Sequence, residues 1–346
     1  MTKTDFGIVG WGLAGATMAW QLYFNKKSFM VYDSTKNYST KTAAGIVNPI
    51  VFKRLTKSWQ ADTLMPYAES FYKKIEIELG QKIIDAKHIY KIFSSFEDEN
   101  NWMTKQSDER FEKYLEPVSS SLNINHVTAE FGYGIVKTFG NLNTIHFLNA
   151  SKRFFKHNNI IFIDEKFNYS ELDSNNNEPY HNLIFCEGFE IIHNPLFNYL
   201  PLKPTHGDTL IIETNDFKFK HVLNKNMFIM HLEGNKYKVG ATYNWGLQEP
   251  VCTEKGKNEL IEKLDAFTNF NYKIISQQAG IRPTVKDRRP LIGTHPNYSN
   301  LHIFNGLGTK GVMIAPYYSE KLLKSVINNE ELDKEINITR YSKFLN

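Results

Sequence analysis

The 346-residue sequence has only two cysteines, Cys186 and Cys252, too few for a disulfide framework or a cysteine-rich metal site. They suit a reducing compartment, and a cytoplasmic protein is expected. None of its 11 histidines forms a His-x-x-x-His pair beside a carboxylate, so no metal site is expected either. A large charge of one sign is also missing. The net charge of +4 is too small a surplus to imply a nucleic-acid partner. There are no internal repeats, no Pro-rich linker and no coiled-coil heptads, so the domains are expected to interleave along the chain. The one stretch of membrane-spanning length, uncharged between Asp5 and Lys26, is broken by Gly7, Gly10, Gly12 and Gly15 and carries Gln21. With only Lys3 before it, offset by Asp5, it makes neither a signal nor an anchor. What is present, 41% hydrophobic and 23% charged residues, supports a sizeable core in about two domains.

The first fifty residues carry a motif. Asp5 to Val9 is a short apolar run ending at Gly10-Trp11-Gly12-Leu13-Ala14-Gly15, after which Ala16 to Tyr23 has the composition of a helix. In this strand, tight turn and helix, Gly10 takes backbone angles closed to other residues and Gly12 lets a pyrophosphate approach the main chain. Gly15 lets helix and strand pack closely, and Leu13 and Ala14 open the helix whose positive end faces the phosphates. A second strand, Ser28 to Tyr32, ends at Asp33, 18 residues after Gly15 and placed to accept hydrogen bonds from a ribose diol. The motif reads only the ADP half that NAD and FAD share, so both cofactors remain open here.

Thr42-Ala43-Ala44-Gly45-Ile46-Val47-Asn48-Pro49 is a small-residue stretch that either lets backbone N–H groups approach a flat ligand or forms a tightly packed turn. Helical spacing runs from Ala61 to about Leu79, and the charged run Ser95 to Arg110 reads as a solvated face. A helix over Asn143 to Phe155 precedes the strand Ile160 to Ile163, then the Asn175-Asn176-Asn177 loop and the strand Leu183 to Cys186. Thr209 to Ile212 and Tyr237 to Ala241, with no long helix between, suggest an antiparallel sheet on the substrate side. Leu301 to Phe304 then reads as a strand, Asn305-Gly306-Leu307-Gly308-Thr309-Lys310-Gly311 as a glycine loop, and Val312 to Ile327 as a helix with Pro316 in its first turn. This second helix N-terminus suits a group that gains negative charge on reduction, as a flavin does; Lys310 either adds to it or sits on a surface loop.

Together these pieces resemble the FAD-dependent D-amino acid oxidase superfamily, which includes glycine and sarcosine oxidases and the oxidoreductase domain of a bifunctional tRNA-modifying enzyme. The Thr42 to Pro49 stretch looks like the family's flavin-contact loop. Gly280-Ile281-Arg282-Pro283-Thr284, Asp287, Pro290-Leu291-Ile292-Gly293 and Gly308 to Pro316 look like its closing signature. The resemblance tips the cofactor to FAD and implies an α/β fold in which a Rossmann-like FAD domain interleaves with an α+β substrate domain built on a mixed or antiparallel sheet. The expected segments are 1–75, 140–205 and 276–346 for FAD, and 76–139 and 206–275 for the substrate. It further implies oxidation of a C–N bond in a small amine or amino acid by hydride transfer to flavin N5. The imine then hydrolyses, and oxygen or another acceptor restores the flavin. The alternatives are a non-catalytic flavin-binding or electron-transfer subunit, or a tRNA-modification-type oxidoreductase, since Gly308-Thr309-Lys310-Gly311 looks like that branch while its methyltransferase half is absent.

By position, Arg282 matches the arginine that pairs with a substrate carboxylate, the alternative being a salt bridge to Asp287. Tyr243 and Trp245 follow Gly240-Ala241-Thr242 and would wall the pocket unless they are core. Lys310 is grouped with Arg282 as catalytic; Phe167, Gly188, Gly306, Gly308, Thr309 and Gly311 join the cofactor residues. Two departures stand out. Glu187 lies in Cys186-Glu187-Gly188, where the family has small residues near the pyrophosphate, and its carboxylate must point away. The closing signature has no cysteine, so FAD is expected to be non-covalent. His206 either lines the cavity or sits in a turn, and Lys53 and Arg54 either meet a phosphate or are a solvated pair.

Overall fold

Two sheets, each assembled from distant stretches of chain, organise the computed structural model, which describes residues 3–34, 38–119, 124–172 and 178–344. The expected Asn175 to Asn177 loop lies outside the described residues. β1 (Thr4–Val9) leads into α1 (Leu13–Phe24) and β2 (Phe29–Tyr32). A short helix α2 (Tyr38–Thr42), the ribbon of β3 (Ile50–Val51) and β4 (Thr56–Lys57), and α3 (Ala61–Leu79) follow. Then come β5 (Ile84–Asp85), β6 (Ile89–Ile92), α4 (Phe96–Gln106), β7 (Tyr133–Val136), β8 (Asn141–Leu142) and α5 (Thr144–His157). The middle supplies β9 (Ile161–Ile163), β10 (Tyr180–Phe185), β11 (Thr205–Glu213), β12 (Val222–Asn224), β13 (Phe228–His231) and β14 (Lys236–Gly240). The last elements are α6 (Glu254–Asp265), β15 (Lys273–Arg282), β16 (Leu291–His295), β17 (Tyr298–Asn305) and α7 (Gly311–Asn328).

The first sheet has the order β16-β17-β10-β1-β2-β9 and is parallel except for the β16–β17 pair. The second runs β15-β11-β14-β13-β12-β6-β7 and is antiparallel except where β12 meets β6. The two sheets account for the α/β and α+β halves of the expected fold class. The expected boundary at 276 falls inside β15, which pairs with β11 as far as Arg282. Among the described residues no helix is long and apolar enough to cross a membrane.

Alternation along the second sheet decides which side chains reach the site. Leu210, Ile212, Leu223, Ile229, Tyr237 and Val239 pack with Leu260 and Leu264 of α6. Their neighbours Thr209, Lys238, Phe228, Val222 and Ile89 therefore project from the opposite face. In the first sheet, α1 and α7 pack together over the strands, burying Trp20, Leu22, Tyr318 and Leu322. Helix starts differ in a way that bears on function. α4, α5 and α6 begin at Ser95, Asn143 and Thr253, whose side-chain oxygens accept a backbone N–H. α1 and α7 begin at Gly12 and Lys310 with no such cap and no acid in the first turn.

α7 starts at Gly311, so Pro316 is its sixth residue and lies beyond the first turn where it was expected. A proline there cannot donate to the carbonyl four residues back. The Tyr72 hydroxyl from α3 donates to Val312 O at 3.0 Å instead, satisfying that carbonyl.

Candidate active site

One cavity of about 710 Å³ runs between the sheets and collects most of the sequence-predicted residues. Gly10, Gly12, Leu13 and Ala14 line it at the N-terminus of α1. Thr42 at the end of α2 and Ala43, Ala44 and Gly45 in the loop after it line the cavity, as do Phe167 and Gly188 from the first-sheet side and Gly308, Thr309, Lys310 and Gly311 from the start of α7. Arg282 and Tyr243 complete it at the second sheet.

Gly15, Asp33 and Gly306 support the cavity rather than line it. A Cβ on Gly15 would stand 1.9 Å from Gly10 O, so this glycine closes the turn against the helix. Gly306, at φ +71°, threads past Leu291 N with 2.9 Å to a notional Cβ. Asp33 is buried and ion-paired with Lys152 at 3.2 Å, which also holds Asp164 at 2.6 Å.

Other expectations are corrected. Trp245 does not line the cavity: β14 ends at Gly240, and the loop that follows leaves Trp245 59% exposed. Tyr243 is 58% exposed, neither core nor deep wall, and its ring stacks on the Arg282 guanidinium at 4.2 Å. His206 is in neither a turn nor the cavity. It is a fully buried residue of β11 whose Nε2 meets Val251 O at 2.8 Å. Lys53 and Arg54 are exposed on the β3–β4 turn and away from the cavity. Arg282 makes no bridge to Asp287, which Arg340 and Tyr341 hold at 3.2 and 2.7 Å.

Electrostatics divide the cavity. Asp164, Glu165, Glu187 and Glu190 lie on its first-sheet side. Glu187 turns toward Tyr169 OH and Asn194 Nδ2, the latter 2.7 Å away, and burial pushes its carboxyl up to about 6. Elsewhere two cations hold only main-chain oxygens. Arg282 Nη1 donates to His206 O at 3.2 Å and Lys310 Nζ to Asn48 O at 2.7 Å. Burial lowers the pKa of both, that of Lys310 to about 8. Lys310 is thus no surface-loop lysine. Lys238, which sequence reasoning missed, is similar: buried, lowered to about 8 by desolvation, and bonded to Thr42 O at 2.7 Å. Its signal was a lysine between Tyr237 and Val239 in an apolar strand. Asn48 was overlooked as the carbonyl that orients Lys310.

The two lysines set a stability trend for the apoprotein. An unfolded lysine titrates near 10.4, so between about pH 8 and 10 the unfolded chain holds more protons and stability rises with pH. Below both values the cost of burying the charge is fully present. From pH 7.5 to 9.5 the melting temperature of the parent apoprotein should rise relative to that of Lys310→Met, a comparison that cancels opposing groups such as the buried Cys186 thiol, whose pKa is pushed up; parallel slopes would contradict this.

The family described as FAD-dependent oxidoreductase (DAO) matches residues 5–323. The chain belongs to this family. Among curated relatives, an uncharacterized oxidoreductase, YurR, of Bacillus subtilis is 27% identical over 113 residues, 31% of this chain and 30% of that protein. Glycine oxidase of Bacillus subtilis is 26% identical over 140 residues, 40% and 37% of the two chains. These alignments span only about a third of each relative. Glycine oxidase from Geobacillus kaustophilus shares the fold with a TM-score of 0.79 at 15% identity, covering 99% of this chain and 98% of its own. L-amino acid deaminase from Proteus vulgaris does so at 0.78 and 13%, covering 98% and 97%.

The cofactor of a DAO oxidoreductase is FAD, and the residues found here fit it. The N-termini of α1 and α7 open onto one cavity with no acid in either first turn and no cap from Gly12 or Lys310, the Leu13 N–H donating to Thr40 Oγ1 at 3.1 Å. Such ends favour a pyrophosphate and an electron-rich ring edge. Gly188 and Gly308 take positive φ beside open space, leaving main chain bare toward the cavity.

Proposed function

We propose that this protein oxidises a C–N bond of a small amine or amino acid, with FAD held non-covalently in the cavity. The carrying observation is Arg282, a desolvated guanidinium in the same cavity as the glycine fingerprint, with no acidic partner among the described residues. A buried cation without a carboxylate is costly, and an anionic substrate group removes that cost. FAD, when bound, supplies the electron sink that takes a hydride equivalent from the carbon next to nitrogen. The residues around it position and desolvate. Arg282 takes the substrate carboxylate in its planar fork, and Tyr243 holds the guanidinium flat. The α1 turn, the Ala43 to Gly45 loop and the start of α7 would hold the cofactor, and Lys310 would add positive charge at the start of α7. In this reading 1–75, 140–205 and the chain after β15 form the FAD domain and 76–139 and 206–282 the substrate domain, the expected boundary at 276 moving to the end of β15 so that the strand carrying Arg282 stays with its sheet, and two free cysteines fit a cytoplasmic setting.

Acid precipitation of the purified protein should move all flavin absorbance into the supernatant as FAD, because Cys252 is off the cavity and Cys186, although it lines the cavity, is a buried thiol whose pKa burial pushes well up, which leaves little thiolate to bond the ring. Anaerobic addition of amino acids and amines should then bleach the bound flavin. A flavin that stays oxidised with every amine would leave a binding or electron-transfer protein, and air reoxidation would tell oxidase from dehydrogenase.

A further inference from the structure

Two glycines allow two flat groups to lie against the cavity face of the second sheet. A Cβ on Gly207 would stand 2.4 Å from Nη2 and 2.5 Å from Nη1 of Arg282, so the guanidinium rests on bare strand. A Cβ on Gly240 would stand 2.7 Å from Thr209 Cγ2 and 3.0 Å from Phe228 Cζ, so the phenyl ring covers the next strand. Gly240 pairs with both Thr209 and Phe228, and Gly207 lies two residues from Thr209 on the same face of β11. Guanidinium, threonine methyl and phenyl ring therefore form a continuous ledge, and all three residues line the cavity. On β12 the register partner of Phe228 is Asn224, which also lines the cavity, and the apolar surface continues diagonally at Val222 and its partner Ile89 on β6. Among the described residues no acidic residue of this sheet lines the cavity.

We propose that Gly207 and Gly240 are the specificity-determining positions of this site, and that the ledge they create selects an amino acid with a bulky apolar side chain over glycine-sized substrates. This rests on the reading that Arg282 takes the carboxylate. The carboxylate meets the guanidinium over Gly207, and the side chain crosses Thr209 to lie on Phe228. Gly207 acts as a positioning residue, since a side chain there meets the Arg282 guanidinium and also, at 2.6 Å, the Thr242 carbonyl. A substrate as small as glycine ends short of the ring and leaves that apolar surface wet. Burial of each methylene favours binding about fourfold, so the gain across a phenylethyl group is large.

The test uses the FAD-loaded protein and the visible spectrum of its flavin to titrate acetate, 3-phenylpropionate and 3-phenylpropionamide. 3-Phenylpropionate should bind at least about thirtyfold more tightly than acetate, and Phe228→Ala should cut that ratio below about fivefold. Gly207→Ala should erode the preference for carboxylate over amide, which a general packing defect would not change. Bleaching by leucine and phenylalanine, in both enantiomers, should outpace bleaching by glycine and sarcosine. Equal affinities for acetate and 3-phenylpropionate, or equal bleaching by glycine and phenylalanine, would overturn the substrate class while leaving amine oxidation intact. Selective aromatic binding with no bleaching by any amino acid would uphold the ledge and overturn the oxidation reading. No binding of either carboxylate would overturn both.

Discussion

Arg282→Ala should lower kcat/KM for flavin reduction by amino acids about 10²- to 10³-fold while FAD stays bound. A carboxylate held by a guanidinium fork makes two charge-assisted hydrogen bonds, each worth about 1.5–3 kcal/mol in a desolvated site. Their loss leaves the substrate anion buried without a partner and free to turn its reacting carbon away. The fold has little stake in this side chain, whose one hydrogen bond is to the His206 carbonyl. Arg282→Lys should recover only part of the loss, since an ammonium has no planar fork to lie across Gly207. Rapid-mixing reduction under anaerobic conditions, alongside FAD titration of the apoprotein, would separate chemistry from cofactor binding. Unchanged saturation by a carboxylate substrate would remove Arg282 from the site.

Gly15→Ala should be as damaging by a different route, weakening FAD binding more than about a hundredfold and lowering the melting temperature of the apoprotein as well. Its Cβ would fall 1.9 Å from Gly10 O, 3.1 Å from Gly10 C and 3.3 Å from the Ile8 side chain. The nearest two atoms are main chain and cannot rotate away, so the cost exceeds the ~1–3 kcal/mol of ordinary overpacking. To relieve it the Gly10 turn must open, carrying the α1 N-terminus out of line with the phosphates. Gly10 has no slack of its own: at φ +100° it sits with a notional Cβ 2.7 Å from Cys186 O. A variant that purifies with a full complement of FAD and melts as the parent does would show that this turn does not bind the cofactor as proposed.

Local periodicity made the framework legible. The Ala61 to Leu79 helix is found at those limits, and β1, α1, β2, β10, β11, β14 and β17 all fall where apolar runs and glycines place them. The small-residue stretches were legible as a group, and they do share one cavity. What escaped depends on contacts across long sequence separations. Nothing near residue 310 says that its ammonium reaches back to the Asn48 carbonyl, and nothing near Gly207 says that a side chain 75 positions later lies on it. Trp245 misled because a strand pattern was extended past Gly240, where the ladder stops. Glu187 suggested repulsion because its partners Tyr169 and Asn194, 18 and 7 residues away, could not be seen to draw its carboxylate aside.

The interleaving of the two sheets also governs how the protein comes to exist on the ribosome. The glycine turn and α1 emerge within the first 24 residues, but β10, the partner of β1, ends at residue 185, and the second helix N-terminus waits until residue 311. Because translation supplies only about 5–20 residues per second, the nascent chain carries half a cofactor site for many seconds before the other half exists. The segments that would hold FAD can therefore come together only once the chain is made through residue 311 and beyond.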